Sequence, residues 1–96
     1  DNKHRMIADQ MISLGTLNQS LVHCREVFAP AIERRAAAIV ICHCHPSGDP
    51  KPSTQDITIT KRLVDVGNLI GIKVLDHLVI GDNEYFSFVD ENIMPD

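Results

Sequence analysis

The spacing of hydrophobic and polar positions changes several times along the chain, and each change marks an element. Met6 to Ser13 suits a strand, Gly15-Thr16 reads as a turn, and Leu17 to Val22 extends or pairs that strand. From about Arg25 to Ala38, Val27, Phe28, Ala31, Ile32 and Ala36 recur at three-to-four-residue spacing. That spacing predicts a helix, with Pro30 in its first turn and Arg34 and Arg35 facing water. Ala38-Ile39-Val40-Ile41-Cys42 is a short, continuous, β-branched run, which predicts a buried central strand with His43 at its far end. The stretch from Pro46 to Pro52 holds three prolines and Gly48, so it forbids regular structure and stiffens the connection. Ser53 then suits a helix N-cap with Asp56 three residues on, and Ile59, Leu63, Val66 and Ile70 form an apolar stripe ending near Gly71. Ile72 to Ile80 predicts a strand, Gly81-Asp82-Asn83 a turn and Glu84 to Val89 a returning strand, so the chain closes with a hairpin. The summed order predicts an α/β domain, a mixed β-sheet with packed helices.

Composition narrows the class. The 96 residues fit one small domain, and 44% hydrophobic with 23% charged residues is ordinary for a globular protein. Four aromatics and no tryptophan leave Val, Ile, Leu and Ala to build the core. The formal charge of -4, with scattered positive residues, gives no footprint for a phosphate backbone and argues against nucleic acid as a partner of this domain alone. No run approaches the length of a membrane span, and the start at Asp1-Asn2-Lys3-His4-Arg5 lacks the apolar run of a signal peptide, so a cytoplasmic protein with no membrane partner is expected. Cys24, Cys42 and Cys44 do not form a secreted disulfide framework and fit reduced thiols.

The chemistry gathers after the central strand. His43 and His45 are two apart at a strand end, so the strand period points both imidazoles to one face, with Cys44 facing the other way. Asp56, in the first turn of the next helix, can be folded back by the stiff loop to add an oxygen ligand. Two histidines and a carboxylate leave a coordination position open on a divalent ion, and water held there can drop toward a pKa of about 7. Zinc is the expected ion, although manganese, iron or nickel also accept this donor set. Asp56 competes with a purely structural role at a helix N-terminus, and Asp49 is an alternative ligand from the loop. Ser53 has a structural reading as N-cap beside a catalytic one. Thr60, one turn after Asp56 on the same face, reads as a solvent or packing residue ahead of one that touches the site, Asp76 and His77 as a hydrogen-bonded structural pair ahead of groups that support the site, and Cys44 as a small buried residue ahead of a redox or metal role. Gly48 reads as a position that permits positive φ.

The spacing His43-x-His45-x7-Ser53-x2-Asp56 matches the JAMM motif and is far more specific than an isolated H-x-H. The runs His45-Pro46-Ser47-Gly48-Asp49-Pro50, Pro52-Ser53, Gly71-Ile72 and Leu75-Asp76-His77, followed by Ile80-Gly81, closely resemble the RadC branch of the JAB/MPN superfamily, and Gly15-Thr16 and Arg25-Glu26-Val27-Phe28 fit it too. The resemblance covers nearly the whole chain. It implies a cytidine-deaminase-like JAB/MPN fold, zinc on His43, His45 and Asp56, Ser53 assisting at a tetrahedral intermediate, and hydrolysis of a peptide or isopeptide bond in an unidentified peptide or protein substrate. It also implies a general-base glutamate on an early strand, tens of residues before the first histidine. Glu26 and Glu33 are the only glutamates before His43 and both fall in the predicted first helix, so residues 1–96 are expected to be a single domain lacking its N-terminal strand. Cys44 replaces the asparagine usual in that branch.

Two further functional classes compete with a hydrolase. A non-catalytic interaction module would keep the fold, and an accessory domain in DNA repair is suggested by the family label alone. A zinc deaminase is set aside, because its H-x-E and P-C-x-x-C signature is absent. Exposed hairpin edges would permit a homodimer.

Overall fold

A computed structural model describes residues 24–95 and, through the backbone, residues 9–14. The apolar run after Ala38 forms strand β2 (Ala38–Cys44), flanked by β1 (Asp9–Leu14) and β3 (Lys73–Ile80), while β4 (Tyr85–Ser87) lies beyond β3. The sheet order is β1-β2-β3-β4, with β1, β2 and β3 parallel and β4 antiparallel to β3. It is a mixed α/β sheet of the expected kind, and β2 is central as its apolar content requires. The expected strand residues 6–8, the turn at Gly15-Thr16 and the extension over 17–22 lie outside the described residues.

Two helices complete the domain, α1 (Cys24–Glu33) and α2 (Thr54–Ile70). Val27, Phe28 and Ala31 from α1 and Ile59, Leu63 and Val64 from α2 meet Ile39, Ile41 and Val74 in one buried cluster. Ile39 and Val74 are register partners, so both helices pack on the same sheet face. As expected, the core is largely aliphatic.

The first helix is shorter than its apolar spacing suggests. It stops at Glu33, and Arg35 takes a left-handed conformation with φ 54°. The Ala36 amide donates to the Ala31 carbonyl and the Arg35 amide to the Ile32 carbonyl, the paired bonds of a Schellman cap. Ala36 remains buried but belongs to the link into β2. Pro30 lies in the second half of α1 rather than its first turn, where its missing N–H deprives the Glu26 carbonyl of a donor. The second helix starts and stops where expected and buries Ile59 and Leu63, but Ile70 of the expected stripe is exposed and Val64 is buried instead. Ser53 and Asp56 form a capping box, and Gly71 closes the helix at φ 81°.

The third strand carries an irregularity that positions the site. Ile39 pairs with Val74 but Val40 pairs with Asp76, so Leu75 is an extra residue in β3. Side chains alternate strictly along a strand, and one inserted residue exchanges the faces of everything after it. His77 is thereby turned to the helix-covered face beside Ile41, while Asp76 shares the opposite face with Val40. There Asp76 accepts from the amides of His77 (2.7 Å) and Val89 (3.0 Å) and from the Ser87 hydroxyl (2.6 Å). Asp76 and His77 are therefore joined through the backbone and not as a side-chain pair.

Among the described residues, no helix is long and apolar enough to cross a membrane.

Candidate metal centre

β2 delivers His43 from its penultimate position, and the His45 amide extends the ladder by donating to the Ile80 carbonyl at 3.0 Å. The period of two sets both rings on one side, with centroids 5.0 Å apart. The loop then turns back across the end of β3. Gly48 sits at φ 82°, a left-handed backbone that favours glycine, beside the exposed Asp82 side chain, whose carboxylate end could move aside for a Cβ. The Asp82 amide donates to the Gly48 carbonyl at 3.0 Å, pinning the loop to the β3–β4 turn.

That path brings the N-terminus of α2 over the histidines. Asp56 is 2% exposed; its Oδ1 lies 3.2 Å from His43 Nε2 and its Oδ2 lies 2.8 Å from His45 Nε2. One donor atom from each of His43, His45 and Asp56 falls within 4.8 Å of the others. The Ser53 amide donates to Asp56 Oδ2 at 2.6 Å, and Ser53 Oγ accepts from the Asp56 amide at 3.1 Å. The capping box uses the hydroxyl only as an acceptor, so its hydrogen remains free to donate toward solvent, where Ser53 is exposed. The two readings of Ser53 are thus compatible in one conformation.

The competing ligand from the loop engages differently. Asp49 accepts from His45 Nδ1 through its main-chain carbonyl at 2.8 Å, while its carboxylate receives the Lys51 amide at 3.0 Å. A carbonyl cannot donate, so the Nδ1 hydrogen of His45 is committed to Asp49 and its Nε2 is the atom directed at Asp56. Asp49 orients a candidate ligand instead of supplying one.

Behind His43 lie two buried side chains, Thr60 and His77, for which the sequence favours a solvent or packing role and a structural pair with Asp76, respectively, over contact with the site. His43 Nδ1 is 2.8 Å from His77 Nε2, and His77 Nδ1 is 2.5 Å from Thr60 Oγ1, which donates to the Asp56 carbonyl at 2.6 Å. Thr60 and His77 are both fully buried, and the His77 ring stacks on Phe88 with centroids 4.8 Å apart. The spacing of Thr60 from Asp56 was the available signal for its place; for His77 there was none, because the inserted Leu75 decides its face.

Electrostatics follow burial. Desolvation, with His43 next in weight, lowers the His77 pKa to about 4, so this imidazole is neutral near pH 7. Burial likewise holds His43 below its ordinary value, against the pull of the Asp56 carboxylate. For Asp56 burial alone would push the pKa up, but the Ser53 amide, at the head of the groups around the carboxylate, outweighs it and holds the carboxyl below its usual range. A neutral, buried His43 facing an ionised Asp56 presents two electron-rich atoms to each other. His43 Nε2 has no hydrogen-bond partner although it is buried. An orphaned imidazole nitrogen beside a carboxylate is the environment a divalent cation satisfies, and the residues present fit one.

The cysteines stay outside this group. All three are free; Cys42 is half-buried, its thiol pushed up by burial and then by Cys44. Cys44 is exposed, not buried as expected, because its side of β2 faces away from both helices.

The sequence comparisons accord with this geometry. A family model described as a RadC-like JAB domain matches residues 1–93. The chain belongs to that family. The RadC-like JAB domain is 56% identical to the UPF0758 protein of Alkaliphilus metalliredigens over 98% of its own length and 40% of that protein. It is 54% identical to the UPF0758 protein of Trichlorobacter lovleyi and 55% identical to that of Geotalea uraniireducens, in each case over 98% of this chain and 41% of the relative. The domain therefore spans about two-fifths of the length of the curated relatives it matches.

Proposed function

We propose that this RadC-like JAB domain is the metal-holding part of a zinc-dependent hydrolase acting on a peptide or isopeptide bond in a cytoplasmic protein. The observation that carries the reading is the convergence of His43 Nε2, His45 Nε2 and the Asp56 carboxylate, with His43 Nε2 buried and unpartnered. Two histidines and one carboxylate would hold the ion and leave a coordination position for chemistry. When bound, the metal would supply Lewis acidity toward a carbonyl and a nucleophilic water at neutral pH.

The chain's own residues do the rest. The Asp49 carbonyl keeps the His45 ring in one tautomer, and the capping box keeps Asp56 ionised and aimed. The exposed Ser53 hydroxyl is the donor assigned to a developing oxyanion, where it would act in a site already shaped before substrate arrives. Glu26 and Glu33 are exposed on α1 and take no part in the histidine and aspartate group. The reading therefore assigns the proton shuttle to a glutamate of a longer parent protein, as the coverage of the relatives allows.

The test is zinc content and affinity of the 96-residue chain beside His45→Ala and Asp56→Ala, each checked for native circular dichroism. About one zinc per wild-type chain, lost or greatly weakened in both variants, is expected. A folded wild-type chain, and a longer parent protein, that both take up no first-row metal would sink the proposal. A parent protein that holds zinc yet cleaves no amide would leave a non-catalytic module in its place.

A further inference from the structure

The hydrogen bonds behind His43 can be followed proton by proton. They begin at the Asp56 carbonyl in α2, which can only accept. Thr60 Oγ1 lies 2.6 Å from it and owns a single hydrogen, so that hydrogen points to the carbonyl. Placing it anywhere else would leave two oxygen lone pairs facing each other at that distance. The oxygen therefore shows His77 a lone pair, and the hydrogen of the Thr60–His77 contact sits on His77 Nδ1. The His77 ring is fully buried, with no carboxylate bonded to it, and a neutral imidazole carries one N–H. Its Nε2 is consequently bare, and the hydrogen in the 2.8 Å contact with His43 sits on His43 Nδ1. What remains is a lone pair on His43 Nε2, pointing at Asp56 Oδ1 from 3.2 Å with no hydrogen between them.

We propose that His77 is the positioning residue of the metal centre: fixed as its Nδ1–H tautomer by Thr60, it accepts from His43 Nδ1 and keeps His43 Nε2 open for a cation. This rests on the metal reading of the site. The relay starts and ends on Asp56, whose carbonyl sets the tautomers and whose carboxylate shares the ion, so one turn of α2 prepares both sides of the site. His45 reaches the same state separately, through the Asp49 carbonyl. The reverse arrangement flips every tautomer: Thr60 would donate to His77 Nδ1, His77 Nε2–H to His43 Nδ1, and His43 Nε2–H to Asp56. That arrangement closes the site with a proton.

Long-range proton–nitrogen correlation spectra of the 15N-labelled 96-residue chain, metal-free and zinc-loaded, distinguish the two directions. The protonated nitrogen of His77 is expected at Nδ1 in both. Zinc affinity supplies the second readout. His77→Phe keeps the stacking on Phe88 but removes both ring nitrogens, and a loss of roughly 10- to 100-fold is expected, as for removal of other groups that orient a ligand. Thr60→Val should lose affinity in the same direction and raise the Nε2–H fraction of His77. His77→Gln should recover part of the loss, because its amide oxygen can accept from His43 where a phenyl ring cannot. An Nε2–H tautomer for His77 in the zinc-loaded chain, or wild-type affinity in folded His77→Phe, overturns the positioning role alone. A wild-type chain without zinc affinity removes the metal reading and this role with it. The spectra and Thr60→Val decide the matter even if His77→Phe does not fold.

Discussion

His77 shows how much depends on a residue that touches no solvent. A histidine of the unfolded chain titrates near ~6.5, whereas burial holds His77 at about 4 in the fold. Between those values the unfolded chain binds a proton that the folded chain refuses, and stability must rise with pH. The contribution is fully present above about 6.5 and is lost as pH falls toward 4. His43, also lowered mainly by burial, acts in the same direction. Asp56, held below its ordinary range, adds stability that persists above the usual carboxylate pKa of ~3.9 and disappears only in stronger acid. The urea midpoint of the metal-free chain is therefore expected to drop between about pH 6.5 and 4, before Asp56 is protonated. His77→Phe should be less stable at neutral pH by about 1–3 kcal/mol, since His43 Nδ1 and Thr60 lose a partner. It should also show the shallower fall with acid. An unchanged slope would place the acid sensitivity on His43 instead.

At the scale of elements, the regular signals were legible and the local departures were not. The run before His43, the capping box at Ser53 and Asp56, and Gly71 after α2 each matched an observed feature because each is decided by neighbours in sequence. Helix α1 was read too far because no glycine marks its end; Arg35 occupies the left-handed cap instead. The face of His77 was unreadable for a related reason. Leu75 carries no special residue type, and its insertion is fixed by pairing with β2 rather than by its own preference. Arg35 offers a direct check on the cap. A non-glycine residue at positive φ costs roughly 1–2 kcal/mol, and Arg35 is exposed, so little packing opposes its replacement. Arg35→Gly also frees the unfolded chain, which offsets part of that gain. A net stabilisation of about 0.5–1 kcal/mol is expected, seen as a Tm several degrees higher by calorimetry. A lower Tm would mean that the Arg35 side chain contributes contacts that outweigh its backbone strain.

Across the whole molecule, the sheet order gathers the site from segments far apart in sequence. Parallel β2 and β3 end together, and the loop between β2 and α2 lies across that end, tied to the β3–β4 turn through Gly48 and Asp82. Binding crevices in parallel sheets form outside the carboxyl ends of strands, and here the strand end supplies both histidines while the following helix supplies the carboxylate. The candidate grouping of His43, His45 and Asp56 is visible in the sequence because all three lie within a short stretch, whereas Thr60 and His77 reach it only through the third dimension. An ion there would bridge β2 and α2 across the stiff loop, so its binding should count directly toward folding. Zinc held at 100 times its Kd is expected to raise the unfolding free energy by about 2.7 kcal/mol if the unfolded chain does not bind it. A chelator should return the curve to the metal-free one, and Asp56→Ala should be nearly insensitive to both. The size of the shift must also agree with the separately measured Kd, since both report one equilibrium. Tight, stoichiometric zinc with no change in stability would mean that the unfolded chain binds the ion as well as the fold does, and that His43, His45 and Asp56 are not a preorganised centre.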